Sequence, residues 1–314
     1  MPRSRAKKMA SANIEISIII PARNEGANIG PCLDAVAAQA GPHDVEVIVI
    51  DSGSSDNTIA VVQARPDVRL VRIRPEDFGH GRTRNLGAGL ARGDFLVFLN
   101  ADAVPGDRQW LSGLIGEFAS DRSVAGVFSR HLPKSGCHLY MARDLETAMP
   151  ALRMERSRAG RLDFFLFSTV SAAIRKEIWS AIPFADDIPI AEDQDWAEKV
   201  LQRGFKLVYA PASVVRHSHN YSPAELFRLK CLVGRTERRF LRKLSALFAG
   251  FILALSGMVF KFFGDSLYVM RSGLPLKTKL REICVSLGAR TASFAGRYVG
   301  WVKGAGRTPS SPIR

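Results

Sequence analysis

Short apolar runs alternate with mixed segments through the first two-thirds of the chain. Ile16–Ile20 is a β-branched run that stops at Pro21, the pattern of a buried strand. Residues 27–40 follow as a helix with Leu33, Val36 and Ala37 on one face. Val45–Ile50 is a second strand and runs into Asp51-Ser-Gly-Ser-Ser-Asp56, where Ser55 or Asp56 can cap a helix reaching about Ala64. A strand over 68–73, a helix over 81–91, a strand over 94–99, a helix over 107–120 and a strand over 124–129 continue the alternation. That order predicts an α/β fold, a Rossmann-like and mainly parallel sheet with helices on both faces. Ligands of such sheets bind beyond the carboxyl ends of the strands. Arg23-Asn-Glu25, Asp51–Asp56 and Asn100–Asp102 all fall there.

Beyond residue 130 the pattern is looser. Residues 131–165 are polar and irregular, with a helix expected over 138–157. Residues 164–174 are apolar and β-like, 193–203 form an amphipathic helix ending at Gly204, and 205–209 form a strand. Ser222 caps a basic helix with Pro223 at its first position. Residues 244–260 carry no charge and are bracketed by Lys243 and Lys261. As a helix they reach roughly 25 Å, short for a hydrocarbon core of about 30 Å. Both flanks are rich in Lys and Arg, whereas a crossing helix leaves one side poor in them. An interfacial or re-entrant segment is therefore expected before a true span, with a buried helix of a C-terminal subdomain as the alternative.

Charge sharpens this division. The net charge is +14; residues 1–225 carry 27 Lys/Arg against 27 Asp/Glu, and residues 226–314 carry 17 against 3. A neutral body with a basic tail predicts an anionic membrane surface as partner. No specific nucleic acid is expected, because the tail lacks the interleaved aromatic platform that single strands need. The four cysteines (Cys32, Cys137, Cys231, Cys284) are scattered, fitting neither a disulfide framework nor a zinc knuckle. Residues 1–13 read as a disordered basic arm. The expected organisation is that arm, a catalytic domain over 14–222 and a helical, basic and partly apolar region over 223–314 that associates with membrane.

The chemistry gathers in Ile190-Ala-Glu-Asp-Gln-Asp-Trp196 and Val215-Arg-His-Ser-His-Asn-Tyr221. A carboxylate pair at a helix start and a histidine pair beyond a strand supply a general base and metal ligands. Together with Ser17–Glu25, Val49–Thr58, Gly81–Ala88 and Gly93–Asp102, in that order, the chain resembles the family 2 glycosyltransferases. The stretch Phe78–Gly87 and the Glu-Asp-x-x-Trp form resemble their rhamnosyltransferase branch.

The resemblance implies a GT-A fold and inversion at the sugar's anomeric carbon. The donor would be a dTDP- or UDP-linked sugar. The acceptor would be a saccharide, carried on a lipid at the cytoplasmic face of the plasma membrane, in cell-surface polysaccharide synthesis. Transfer of another sugar, or transfer to polyprenyl phosphate, is the alternative within the same fold; a non-catalytic nucleotide-sugar or membrane-surface binding protein is the alternative outside it. The resemblance places Pro21, Arg23, Glu25, Asp51, Arg84, Asn100 and Asp102 in the donor site, with Asp51 on the base, Glu25 on the ribose and Asn85 fixing the loop. Asp51 could instead be a turn cap. Asp102 and His217 would hold a divalent cation, Mg²⁺ or Mn²⁺, with His219 as the alternative to His217. Asn100 stands where the family carries an aspartate, which removes one charge from that site. Asp193 would be the general base, with Glu192 supporting it, Asp195 contacting acceptor or loop, and Trp196 either walling the acceptor or filling the core. His80 would touch a substrate or serve its loop. His43, His131 and His138 carry no visible signal.

Overall fold

The computed structural model describes residues 15–39, 41, 44–159, 167–238 and 245–304; the expected arm at 1–13 lies outside them. In chain order the strands are β1 (Glu15–Ala22), β2 (Asp44–Asp51), β3 (Val68–Arg72), β4 (Phe95–Leu99), β5 (Val104–Pro105), β6 (Val124–Leu132), β7 (Met154–Arg156), β8 (Ser171–Arg175) and β9 (Lys206–Arg216). The helices are α1 (Ile29–Ala37), α2 (Thr58–Gln63), α3 (His80–Leu90), α4 (Trp110–Ile115), α5 (Leu139–Ala148), α6 (Lys176–Ala181), α7 (Glu192–Gln202), α8 (Pro223–Arg238), α9 (Ser245–Arg271) and α10 (Leu276–Lys303).

The strands form one sheet in the order β3-β2-β1-β4-β8-β6-β9-β5, with β7 paired to β9. The β3-β2-β1-β4 half is parallel, as the alternation predicts. β8 enters antiparallel between β4 and β6, and β6 pairs parallel with β9. Because side chains alternate along a strand, Ile16, Ile18 and Ile20 of β1 join one core with residues of α1, α2 and α4. Ile19 of the same strand joins the opposite core with residues of α3, α6 and α7.

Two expected elements differ. The helix expected over 138–157 stops at Ala148, two residues before Pro150, and Met154–Arg156 runs instead as an edge strand on β9. A proline disfavours helical geometry in the residue before it and cannot donate to a helix bond. Of the β-like 164–174 stretch, only the part from Ser171 is strand within the described residues.

The C-terminal helices dock on α5. Asp265, on α9 and fully buried, accepts Arg143 Nη1 (3.0 Å), Arg290 Nε (2.8 Å) and Ser286 Oγ (2.5 Å). Arg290 also makes a two-pronged pair with Asp144 of α5 (2.6 and 2.9 Å). Glu282 of α10 accepts the backbone N–H of Leu139 (3.0 Å) and faces His138 Nδ1 (3.1 Å). α8 and α10 press together closely enough that a Cβ on Gly300 would collide with the Cys231 carbonyl. Asp265→Ala leaves two guanidinium groups without their shared counter-charge, so it should destabilise the fold by about 3–5 kcal/mol. Chemical denaturation checks this, and a loss under 1 kcal/mol would mean the network does not fasten α9 to α5.

No helix among the described residues is long and apolar enough to cross a membrane. The uncharged 244–260 segment is, from Ser245, the first part of the 27-residue α9. Ile252, Leu255, Val259, Phe260, Phe263, Leu267 and Met270 are exposed along it, three or four residues apart apart from the adjacent Val259 and Phe260. Leu274, Leu276, Leu280 and Leu287 continue the exposed apolar surface through the turn and along α10. Lys261, Arg271, Lys277 and Arg281 are exposed among them.

Candidate active site

The site lies at the carboxyl edge of the parallel strands and is built from their exits. After β1 the chain turns through Asn24, in the left-handed region at φ 54°. Asn24 Oδ1 accepts the backbone N–H of Ser55 (2.8 Å), and its own N–H donates to Ser54 Oγ (2.9 Å). The Glu25 N–H donates to Thr58 Oγ1 (2.8 Å) and the Gly26 N–H to Asp56 (2.9 Å), so the exits of β1 and β2 are laced together. Asp51 is fully buried and turns back on its own loop. It accepts the N–H groups of Gly53 and Ser54 (both 3.1 Å) and the Ser54 hydroxyl. Gly53, at φ 84°, makes that turn without strain. Asp51 thus acts as the turn cap. Pro21 is the last residue but one of β1, opposite Ile50. Burial raises the Glu25 carboxyl above its ordinary value, although the Asn28 amide donates to it (2.7 Å). Arg23 Nη1 is buried with no partner among the described residues, a cation placed where an anionic ligand would satisfy it.

Arg84 is the hub. Buried on α3, it donates through Nη1 to Glu192 Oε1 (2.7 Å) and through Nη2 to Asn100 Oδ1 (3.1 Å). This ion pair joins residues 108 apart in sequence and aligns the start of α7 with the end of β4. Asn100 is therefore held by Arg84. Asn85 fastens the chain before α7, donating to the Phe184 carbonyl (2.8 Å) and Asp186 (3.0 Å) and accepting from Trp179 Nε1 (2.9 Å). α7 begins after Ala191, whose φ of 69° is unusual for a residue with a Cβ. That turn aims Asp193 at the cavity. Asp193 Oδ2 accepts the Thr169 N–H (3.2 Å) and Oδ1 accepts the Gln194 N–H (2.9 Å). Burial and the neighbouring Glu192 charge push its carboxyl above the ordinary carboxylate range, against Arg84, which pulls it down.

At the other end, β5 pairs with β9 in the register Val104↔Arg216, which brings Asp102 beside the histidines that follow β9. Asp102 Oδ2 lies 3.4 Å from His217 Nε2, 3.3 Å from His219 Nε2 and 3.9 Å from Lys134 Nζ. The two Nε2 atoms are 3.0 Å apart. Burial opposes ionisation of Asp102. The His217 hydrogen bond and the charges of His217, His219 and Lys134 outweigh it and hold the carboxyl down at about 2. Burial, and then the His217 charge, lower the His219 imidazole below its ordinary value. Asp102, His217 and His219 each offer one ligand atom, all within 4.8 Å of one another, and can hold a metal ion. Both histidines that the sequence offered as alternatives thus reach the same carboxylate.

A cavity of about 300 Å³ is lined by Asp193, His217 and His219 together, with Met141, Leu145, Met149, Phe167 and Val170 among its walls. Trp196 is not one of them. It is fully buried, donates to the Ile182 carbonyl (2.8 Å) and packs behind Phe167, with ring centroids 5.1 Å apart, so it braces the wall from the core. Asp195 pairs with Lys199 on its own helix (2.7 Å) and is likewise absent from the lining. His80 supplies its carbonyl to Arg84 (3.3 Å), and burial with the Arg84 charge takes its imidazole down to about 4. His131 carried no signal in the sequence. It stands near the end of β6, lines the cavity, meets His217 edge-on (5.7 Å between centroids), and is lowered to about 3 by burial and then by His217. Its one available clue was position at the carboxyl end of a strand.

A carboxylate of raised affinity for protons across one cavity from a carboxylate–imidazole cluster is an arrangement for deprotonating one group while neutralising another. The glycosyl transferase family 2 pattern matches residues 17–182. The chain belongs to that family. The enzyme is 33% identical to the O-antigen chain rhamnosyltransferase RfbN of Salmonella typhimurium over 68% of its own length and 70% of the relative's. It is 31% identical to the O-antigen chain rhamnosyltransferase WbaN of Salmonella anatum, over 58% of this chain and 59% of the relative. Among solved structures, its fold is shared with the mannosyltransferase PcManGT from Pyrobaculum calidifontis in complex with GDP-Man and Mn²⁺. The TM-score is 0.62 and the identity 20%, covering 91% of this chain and 86% of the other. The glycosyltransferase thus has the GT-A fold that its motifs implied.

Asp193 as a general base could take a proton only in its ionised form, and that role predicts that kcat/KM of the glycosyltransferase falls as pH drops. The acid limb should lie above the ordinary aspartate value of about 3.9, because the native pKa is raised. A pH–rate profile tests this, and activity unchanged down to pH 4 would exclude Asp193 as the base.

Proposed function

We propose that the enzyme transfers a sugar, with inversion, from a nucleotide-diphosphate donor to a saccharide acceptor carried on a membrane lipid, in the building of a cell-surface polysaccharide. Rhamnose on a dTDP carrier is the donor we favour, in keeping with the activities named for its two Salmonella relatives. The observation that carries the reading is one cavity lined by Asp193, His217 and His219 together, the two histidines being grouped with Asp102.

In this reading the nucleotide lies along the laced exits of β1 and β2, against Pro21, Arg23, Glu25 and the Asp51 turn. Arg84 and Asn100 fix the floor beneath the diphosphate. Asp102, His217 and His219 would hold a divalent cation there. Their mixed oxygen and nitrogen ligands suit Mn²⁺ better than Mg²⁺, which favours all-oxygen, octahedral sites. Bound, such an ion supplies Lewis-acid neutralisation of the departing diphosphate. Asp193 accepts the acceptor hydroxyl proton as that oxygen bonds to the anomeric carbon from the opposite face. The bond from that carbon to the phosphate oxygen breaks and its electron pair leaves with the diphosphate. Glu192 serves by holding Arg84 in place.

The exposed apolar stripe of α9 and α10, studded with Lys261, Arg271, Lys277 and Arg281, suits an anionic lipid surface. Its apolar side chains would enter the head-group boundary, and each well-placed cation would add on the order of 1 kcal/mol. In this reading the acceptor's lipid lies beside the catalytic domain at the cytoplasmic membrane face, with the enzyme peripheral or monotopic. Two assays test the reading. Donor hydrolysis should be fastest with dTDP-rhamnose across a panel of dTDP-, UDP- and GDP-sugars, and a faster UDP-hexose would reassign the donor. Sedimentation with vesicles should show binding to anionic but not neutral lipid, weakened about tenfold or more by the pair Phe260→Ser and Phe263→Ser; equal binding to both lipids would remove the membrane surface from the reading.

A further inference from the structure

The wall of the cavity facing the catalytic groups has a character that general sugar transfer does not call for. Met141, Leu145 and Met149 are spaced four residues apart, on α5 and just past its end, and all three line the cavity together with Phe167. Helical spacing of four puts successive side chains on one face. Their placement is fixed from both sides. The Arg290–Asp144 pair fastens α5 to the C-terminal helices. Arg130 Nε donates to the Met149 carbonyl (3.1 Å), and the His131 backbone N–H points at Met149 Sδ (3.2 Å). The same wall holds His131, 5% exposed, whose Nε2 has no partner among the described residues. A buried, unpaired imidazole nitrogen beside an apolar face suits a ligand that is greasy on one edge and hydroxylated on the next.

We infer that Met141, Leu145, Met149 and Phe167 form the subsite for the C5-methyl edge of a transferred 6-deoxyhexose, with His131 Nε2 hydrogen-bonding a ring hydroxyl; this rests on the sugar-transfer reading above and names the class of sugar. A hexose with a hydroxymethyl group at C5 would push that hydroxyl against thioether and alkyl surface, and so be discriminated against. An apolar pocket rejects an added hydroxyl by roughly 10²-fold at most, so the selectivity is real but bounded.

The deciding comparison is donor hydrolysis by the full-length enzyme with dTDP-L-rhamnose and dTDP-L-mannose, which differ only in the C6 hydroxyl. The wild type should favour rhamnose by about 10–100-fold in kcat/KM. Leu145→Asn and, separately, Met141→Gln should each shrink that ratio at least fivefold, through the dTDP-L-mannose arm. His131→Phe should raise KM for both sugars while leaving the ratio in place. Equal wild-type kcat/KM for the two sugars overturns the subsite while leaving the dTDP-sugar reading intact. Turnover of UDP- or GDP-hexoses with neither dTDP-sugar used overturns both. A ratio unmoved by the Leu145 and Met141 variants, with acceptor KM raised instead, also overturns it, since the wall would then hold the acceptor.

Discussion

Asp193→Asn should lower turnover by about 10²–10⁴-fold, the range that a positioned general base contributes, while nucleotide affinity stays within about twofold of the wild type. The split follows from placement. Asp193 is bonded to Thr169 and lines the cavity with His217 and His219, whereas no residue of the β1 and β2 exits, where the nucleotide would lie, lines it. An amide keeps the shape of the carboxylate and can accept the N–H of Thr169 or of Gln194, but it cannot carry away a proton. Glu192 would not substitute, because its carboxylate is buried and paired with Arg84 at 2.7 Å. Single-turnover rates and calorimetric titration with dTDP or UDP separate the two effects. Near-normal turnover in the variant would move the base elsewhere.

Asp102→Asn should cost at least about 100-fold in turnover and weaken Mn²⁺ binding in parallel. A Lewis acid on a leaving diphosphate supplies several kcal/mol, and each 1.36 kcal/mol is tenfold in rate. Asp102 is the only carboxylate in the three-residue cluster, and Asn100 already contributes an amide, held by Arg84. Taking the second charge leaves two imidazoles to hold a dication. The wild type should lose turnover in EDTA and recover it with Mn²⁺. Electron paramagnetic resonance of added Mn²⁺ reads the ion directly, without reference to turnover. Full activity in EDTA would remove the metal from the account.

Much of the fold was legible because the parallel half is written locally. Ile16–Ile20, Val45–Ile50 and Phe95–Leu99 are short apolar runs with polar exits, and those exits meet at one edge. The motif residues likewise converge, since Arg84, Asn100 and Glu192 form one bonded group. What stayed hidden was non-local. The two-residue β5 is too short to leave a periodic trace, yet its pairing with β9 is what carries Asp102 to His217 and His219. β8 reads as apolar and β-like, but nothing in its composition says it runs antiparallel. Trp196 could equally have been wall or core from its place at a helix start, and only packing against Phe167 and Phe184 decides for the core. Met141, Leu145 and Met149 are unremarkable in sequence, because the face they line belongs to residues far along the chain.

The most direct measurement is a crystal structure with Mn²⁺ and a non-hydrolysable dTDP-rhamnose analogue. An anomalous Mn²⁺ peak is expected, bound by Asp102, His217, His219 and the diphosphate, with the anomeric carbon open toward Asp193. A sugar whose anomeric carbon faces away from Asp193, or a cation bound apart from all three ligands, would contradict that arrangement.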